Sequence, residues 1–182
     1  MKSINQIKEE QLQLQRAIHF LVVRCLDRYG NQKIANPKPI VIHSLRVGFD
    51  LLKRGYSKDI VVSAILHDVS EDAGVSINEI EKKFGKKVAK IVAAVSYDRR
   101  WSNQKEKYLD SYRRTKKTGR KAIIVSVADH LDNADYYRYI KDELTKREVY
   151  EKWQVFLKMV ASEIADEPIY QELKEKLKNL QK

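Results

Sequence analysis

The chain has 182 residues, 43% hydrophobic and 34% charged, a globular rather than a disordered balance that suits one domain. One cysteine, Cys25, excludes an internal disulfide and a cysteine-rich metal site, and no apolar run approaches the roughly 20 residues of a membrane span. With only 6 glycines and 3 prolines there is little turn chemistry for a sheet, so an all-α fold is expected, and the net charge of +11 favours anionic partners.

The opening residues, MKSINQIKEEQ, have no apolar segment after their first charges and do not read as a secretory signal; a soluble cytoplasmic protein is expected. Leu14, Ile18, Leu21 and Cys25 recur at steps of three and four, which predicts a first amphipathic helix. Tyr29-Gly30 opens a loop, NQKIANPKP, whose prolines break any helix. A second helix is expected from about Pro39 to Arg54, with Ile40, His43 and Val47 on one face. Gly55 ends it, and Ser57 is placed to cap the next.

That third helix, from about Lys58, carries Ile60, Ala64, His67 and Glu71 on one stripe and Val61, Ile65, Asp68 and Asp72 on its neighbour. Gly74 stops it, and Ser76-Ile-Asn-Glu79 reads as a capping box for a short helix to Phe84. After Gly85 comes the helix KKVAKIVAAV, then a polar, basic stretch to about Lys117, expected as a loop and an exposed helix. A long helix is predicted from about Gly119 to Leu144, followed by two more, Val149 to Ala165 and Pro168 to Leu180. With no repeat and no linker, residues 1–182 form one expected domain, its core at about 18–140 and its C-terminal helices at 145–181.

The chemistry concentrates in a few side chains. His67-Asp68 follows the apolar VVSAIL, and its imidazole and carboxylate suit manganese, iron, magnesium or zinc. Alone, the pair reads equally as a helix end with a hydrogen-bonded histidine. Asp129 follows the apolar KAIIVSVA, so its carboxylate needs a partner, a metal or a buried cation. His43 stands among Ile40, Ile42 and Val47, where a core histidine is the plain alternative. If the third helix continues one more turn, Glu71 and Asp72 project beside His67 and Asp68. Such acids can take a proton from an activated water or give one to a leaving oxygen. An acidic helix C-terminus is otherwise unfavourable for the dipole.

In order and spacing, HSLRVGFDLL, AILHDVSEDAGVSINEIEKKFGKKVAKIVAAVS and SVADHLDNAD resemble the HD superfamily, and within it the hydrolase domain of RelA/SpoT-type alarmone enzymes. The likeness spans about Ile18 to Tyr139, and the length is similar to that of the small alarmone hydrolases. The resemblance implies an HD-type helical bundle holding one divalent ion, usually manganese, through His43, His67, Asp68 and Asp129. It assigns Glu71 and Asp72 as the catalytic acid pair and Asn133 as a nucleotide contact. The activity it implies is removal of the 3′-pyrophosphate from guanosine tetra- or pentaphosphate.

Two positions depart from the family pattern. An Arg-Lys pair that grips the nucleotide is replaced by Ile34-Ala35, with Lys33 and Lys38 nearby as imperfect substitutes. The usual ADRLHN becomes Ala128-Asp129-His130-Leu131-Asp132-Asn133. Other readings stay open: a nucleotidase or related phosphohydrolase with Arg99, Arg100 and Arg113 as phosphate clamps, or an inactive nucleotide-binding module. The basic stretch from Arg99 to Lys121 reads as a solvated helix surface, as a funnel for a small anion or, less readily because no recognition motif accompanies it, as a nucleic-acid footprint; a small anionic nucleotide as partner is what the resemblance implies.

Overall fold

Helical spacing of apolar residues dictates the architecture. The computed structural model describes residues 3–29, 40–98 and 100–180, and among these every regular element is helical. In chain order they are α1 (Ile4–Tyr29), α2 (Ile40–Lys53), α3 (Lys58–Ile65), α4 (Val69–Asp72), α5 (Ile77–Phe84) and α6 (Lys86–Val95). Then come α7 (Gln104–Thr118), α8 (Arg120–Ala134), a 3-10 turn (Tyr137–Tyr139), α9 (Glu143–Ile164) and α10 (Pro168–Asn179). No helix among the described residues is long and apolar enough to cross a membrane. Lys33, Ile34, Ala35, Lys38 and Arg99 lie outside the described residues.

Two helices are apolar on nearly every side and so form the centre. All residues of α3 from Ile60 to Ile65 are buried, as is α8 from Ala122 to Ala128. α3 packs on α1, α2, α6 and α8, and α8 on α2, α3, α6, α7, α9 and α10. Gly48 of α2 allows the closest approach, since a Cβ there would collide with the Ile65 side chain.

The third helix does not continue to Asp72 as the sequence suggested. α3 ends at Ile65, and the Leu66 N–H bonds back to Ser63 and Val62. His67-Asp68 forms a turn, and α4 restarts at Val69. In an unbroken helix the Ala64 carbonyl would accept the Asp68 N–H; here the His67 ring takes it. Ser96 adds a second tie, its hydroxyl donating to the His67 carbonyl at 3.1 Å.

The long helix expected to reach Leu144 stops at Ala134. Asp142 starts a new helix by accepting the Thr145 N–H, so α9 begins six residues before the expected Val149. Of the two capping serines, Ser76 accepts the Glu79 N–H, whereas Ser57 holds its place without a side-chain bond. The basic segment is also less exposed than its composition suggested. Tyr112 of α7 is fully buried, and Ser111, Arg114 and Thr115 donate to carbonyls at the end of α6. Helix ends leave four carbonyls unsatisfied, and polar residues of α7 supply the missing donors.

Candidate metal centre

His43 lies on the buried face of α2, His67 and Asp68 in the turn after α3, and Asp129 on α8. On a continuous helix, adjacent residues diverge by about 100°. The break at Leu66 brings His67 Nε2 and Asp68 Oδ2 to 3.1 Å instead. His43 Nε2 stands 3.2 Å from His67 Nε2, 3.0 Å from Asp129 Oδ1 and 3.6 Å from Asp68 Oδ2. His67 Nε2 is 3.4 Å from the same Asp129 oxygen.

The tautomers follow from the other ring nitrogens. His43 Nδ1 is 2.6 Å from Asp132 Oδ2, and His67 Nδ1 is 2.7 Å from the Ala64 carbonyl. Both partners are acceptors, so each Nδ1 carries the proton and each Nε2 turns a lone pair toward the other donors. Two lone pairs and two carboxylates at such range demand a cation. In the ion-free protein a proton serves: burial opposes it, but Asp68 and Asp129 raise His67 well above its ordinary value. A metal ion fits equally well. With bonds of about 2.1 Å, neighbouring ligands stand about 3.0 Å apart in an octahedron and about 3.4 Å in a tetrahedron.

Supports surround the donors. Asp132, whose bond orients His43, is gripped by Arg46 at 2.7 and 2.9 Å, and Arg46 also donates to the Tyr136 hydroxyl. Burial works against the Asp132 carboxylate, yet bonds from Arg46 and His43 hold it down at about 2. Asp129 is likewise penalised by burial, but the surrounding histidines, His130, His43 and His67, keep it well below the ordinary carboxylate range. Among the described residues no lysine or arginine pairs with it, which removes the buried salt bridge as its explanation. Asn133, expected as a nucleotide contact, donates to Asp129 Oδ1 at 2.7 Å.

Two of the donors, Asp68 and Asp129, open onto a cavity of about 370 Å³. Glu71 and Asp72 line it beside Asp68, although the helix that was expected to place them there is broken. Burial and the charge of Asp68 push Glu71 up to about 7, against the opposing 2.8 Å bond from the Tyr97 N–H. That places a carboxyl with a transferable proton at the cavity edge.

Arg100 is not brought to this cavity; it is exposed and forked onto Asp98. Arg113 is also exposed, near Glu106. The sequence reading missed Asp132 and Arg46, though each follows a donor by one turn, at His43/Arg46 and Asp129/Asp132. It also missed His130, a buried ring packed against Phe156, Tyr112 and Trp153. His130 Nδ1 approaches Asp129 Oδ2 to 3.3 Å without hydrogen-bond geometry, and burial lowers its basicity.

Comparison with known proteins agrees with this architecture. The chain is 29% identical over 147 residues to a guanosine-3′,5′-bis(diphosphate) 3′-pyrophosphohydrolase of Aquifex aeolicus, covering 79% of this chain and 20% of the relative. It is 32% identical over 108 residues to the Drosophila melanogaster enzyme MESH1, covering 58% and 60%. The chain thus spans about a fifth of the length of the first curated relatives it matches. A solved structure of a metazoan SpoT ortholog shares the fold with a TM-score of 0.77 at 19% identity, over 92% of this chain and 95% of that one. A Listeria monocytogenes structure does so at 0.68 and 22%, over 81% and 100%. The HD domain model matches residues 22–163, most of the sequence, and the chain belongs to that family.

Proposed function

We propose that this protein is a metal-dependent phosphohydrolase that removes the 3′-pyrophosphate from guanosine tetra- or pentaphosphate. The observation that carries the reading is the convergence of His43, His67, Asp68 and Asp129, with both imidazole Nδ1 protons already engaged. The names of the relatives in Aquifex aeolicus and Drosophila melanogaster supply the substrate. Two imidazole nitrogens and two carboxylates suit a single manganese ion, with iron, magnesium or zinc as substitutes.

A divalent ion held there supplies Lewis-acid chemistry, neutralising phosphate charge and acidifying water. The chain's own groups do the rest. Asp132 and the Ala64 carbonyl fix the two rings, so that both Nε2 atoms stay aimed at one point. Asn133 holds the Asp129 carboxylate. Glu71 moves the proton, because a carboxyl near 7 can both accept and return one at neutral pH. Asp72 lines the same cavity and completes the acid pair.

The test is incubation of manganese-loaded protein with guanosine 3′,5′-bis(diphosphate). Release of pyrophosphate and guanosine diphosphate is expected. Orthophosphate as the product, or no turnover with any of the four ions, sinks this reading.

A further inference from the structure

The cavity above the metal centre is lined by Asp68, Glu71, Asp72 and Asp129. A phosphorylated substrate entering it meets four carboxylates. Among the described residues of the lining, the single lysine or arginine is Lys152, which comes from α9 and not from the helices that carry the acids. Lys152 also lines a second cavity, of about 210 Å³, which shares Tyr97, Val149 and Lys152 with the first. The two cavities therefore adjoin at Tyr97, Val149 and Lys152.

Tyr97 organises this junction. Its hydroxyl accepts a bond from the Lys152 ammonium, which stands 5.0 Å from the Tyr97 ring centroid and 5.8 Å from that of Tyr108. Lys107 Nζ lies 5.3 Å from the Tyr97 centroid and lines the outer cavity. The Tyr97 backbone N–H meanwhile holds Glu71. Tyr97 therefore touches both the Glu71 carboxyl and the Lys152 ammonium. The exposed Glu148 is the carboxylate of the outer lining, but it faces solvent, where its repulsion of an anion is screened.

We propose that Lys152, positioned by Tyr97 and continued outward by Lys107, is a binding arm for a substrate phosphate remote from the scissile bond. The inference rests on the hydrolase reading above and deepens it, assigning the subsite for the 5′-diphosphate of a guanosine bis(diphosphate). An ammonium on a flexible stem is a point charge that follows a phosphate. The aromatic faces help to hold it in place.

The test compares wild type with Lys152→Met, Lys152→Arg and Lys107→Met, all manganese-loaded and checked for equal metal content. Two measurements are made: affinity for guanosine diphosphate by calorimetry, and kcat and KM on guanosine 3′,5′-bis(diphosphate) and on guanosine 3′-diphosphate, which lacks the 5′ phosphates. For Lys152→Met, guanosine diphosphate affinity falls and KM for the bis(diphosphate) rises, each about tenfold, as expected for a lost charge-assisted bond. Its kcat, and its KM for the 3′-diphosphate, stay near wild type. Lys152→Arg restores most of the loss, and Lys107→Met shows a smaller effect of the same kind. If Lys152→Met keeps guanosine diphosphate affinity and the substrate preference within about twofold, less than one ordinary hydrogen bond supplies, the arm is overturned. If wild type cleaves neither substrate, the hydrolase reading fails, and the guanosine diphosphate titrations still decide the arm.

Discussion

The floor of the cavity and its far wall are held by different means. On the floor, both rings and two of the carboxylates have a second tie: His43 to Asp132, His67 to Ala64, Asp129 to Asn133 and Asp132 to Arg46. On the wall, Lys152 rests on two aromatic faces and one hydroxyl, while Ile140 and Val149 give plain apolar surface. The floor fixes positions, as an ion requires. The wall offers charge and shape to a substrate that has its own freedom.

That contrast can be broken at the floor first. His67→Ala or Asp129→Ala removes a donor from the middle of the cluster, and elemental analysis is expected to find the metal lost and turnover gone. Glu71→Gln leaves the four donors intact, so metal content stays while kcat falls by about 10²–10⁴, the usual contribution of a general acid–base. The same variant has a second, opposite effect. Glu71 is raised from 4.5 to about 7 in the ion-free protein, so folding favours its protonated form. Its contribution to stability is present below about pH 4.5 and lost as pH rises through about 7. Chelated Glu71→Gln is therefore expected to unfold at higher denaturant than chelated wild type at pH 8, and an unchanged or lower midpoint contradicts it.

Smaller effects sharpen the comparison. Asp132→Asn removes the carboxylate behind His43 and should weaken metal affinity by about 10–100-fold, read by competition with a chelating dye. Gly48→Ala drives a methyl into Ile65, separating α2 from α3 at a cost of about 1–3 kcal/mol in a urea titration. At the wall, Tyr97→Phe keeps the N–H bond to Glu71 and drops only the hydroxyl under Lys152. Its expected signature is a KM raised by about two- to fivefold, the worth of a single ordinary hydrogen bond, with metal content unchanged.

Legibility in the sequence follows the same division. The floor was readable because its residues break local rules. Asp129 is an acid in an apolar run, and His43 a histidine on an apolar face. The helix order was readable from apolar spacing and from turn residues such as Gly85 and Ser76. The break after Ile65 was not, because 58–72 keeps its helical periodicity across the interruption, and the ties that hold the turn come from Ser96 and from the His67 ring itself. Nor was the end of α8, since Asp142 caps a helix whose first turn reads as the tail of the one before. The wall could not be read at all. Tyr97 and Lys152 are 55 positions apart, and Lys152 looks like any lysine on a helix.

The donors themselves come from places 24 and 86 positions apart in the chain. An unfolded chain has no reason to gather them, so an ion that binds the native state acts as a ligand of folding. At a free concentration of 100 times its Kd it adds about 2.7 kcal/mol to the unfolding free energy. Thermal melts across a series of divalent ions should then rank them by affinity in the absence of any substrate, and His67→Ala should flatten the whole series to one melting temperature.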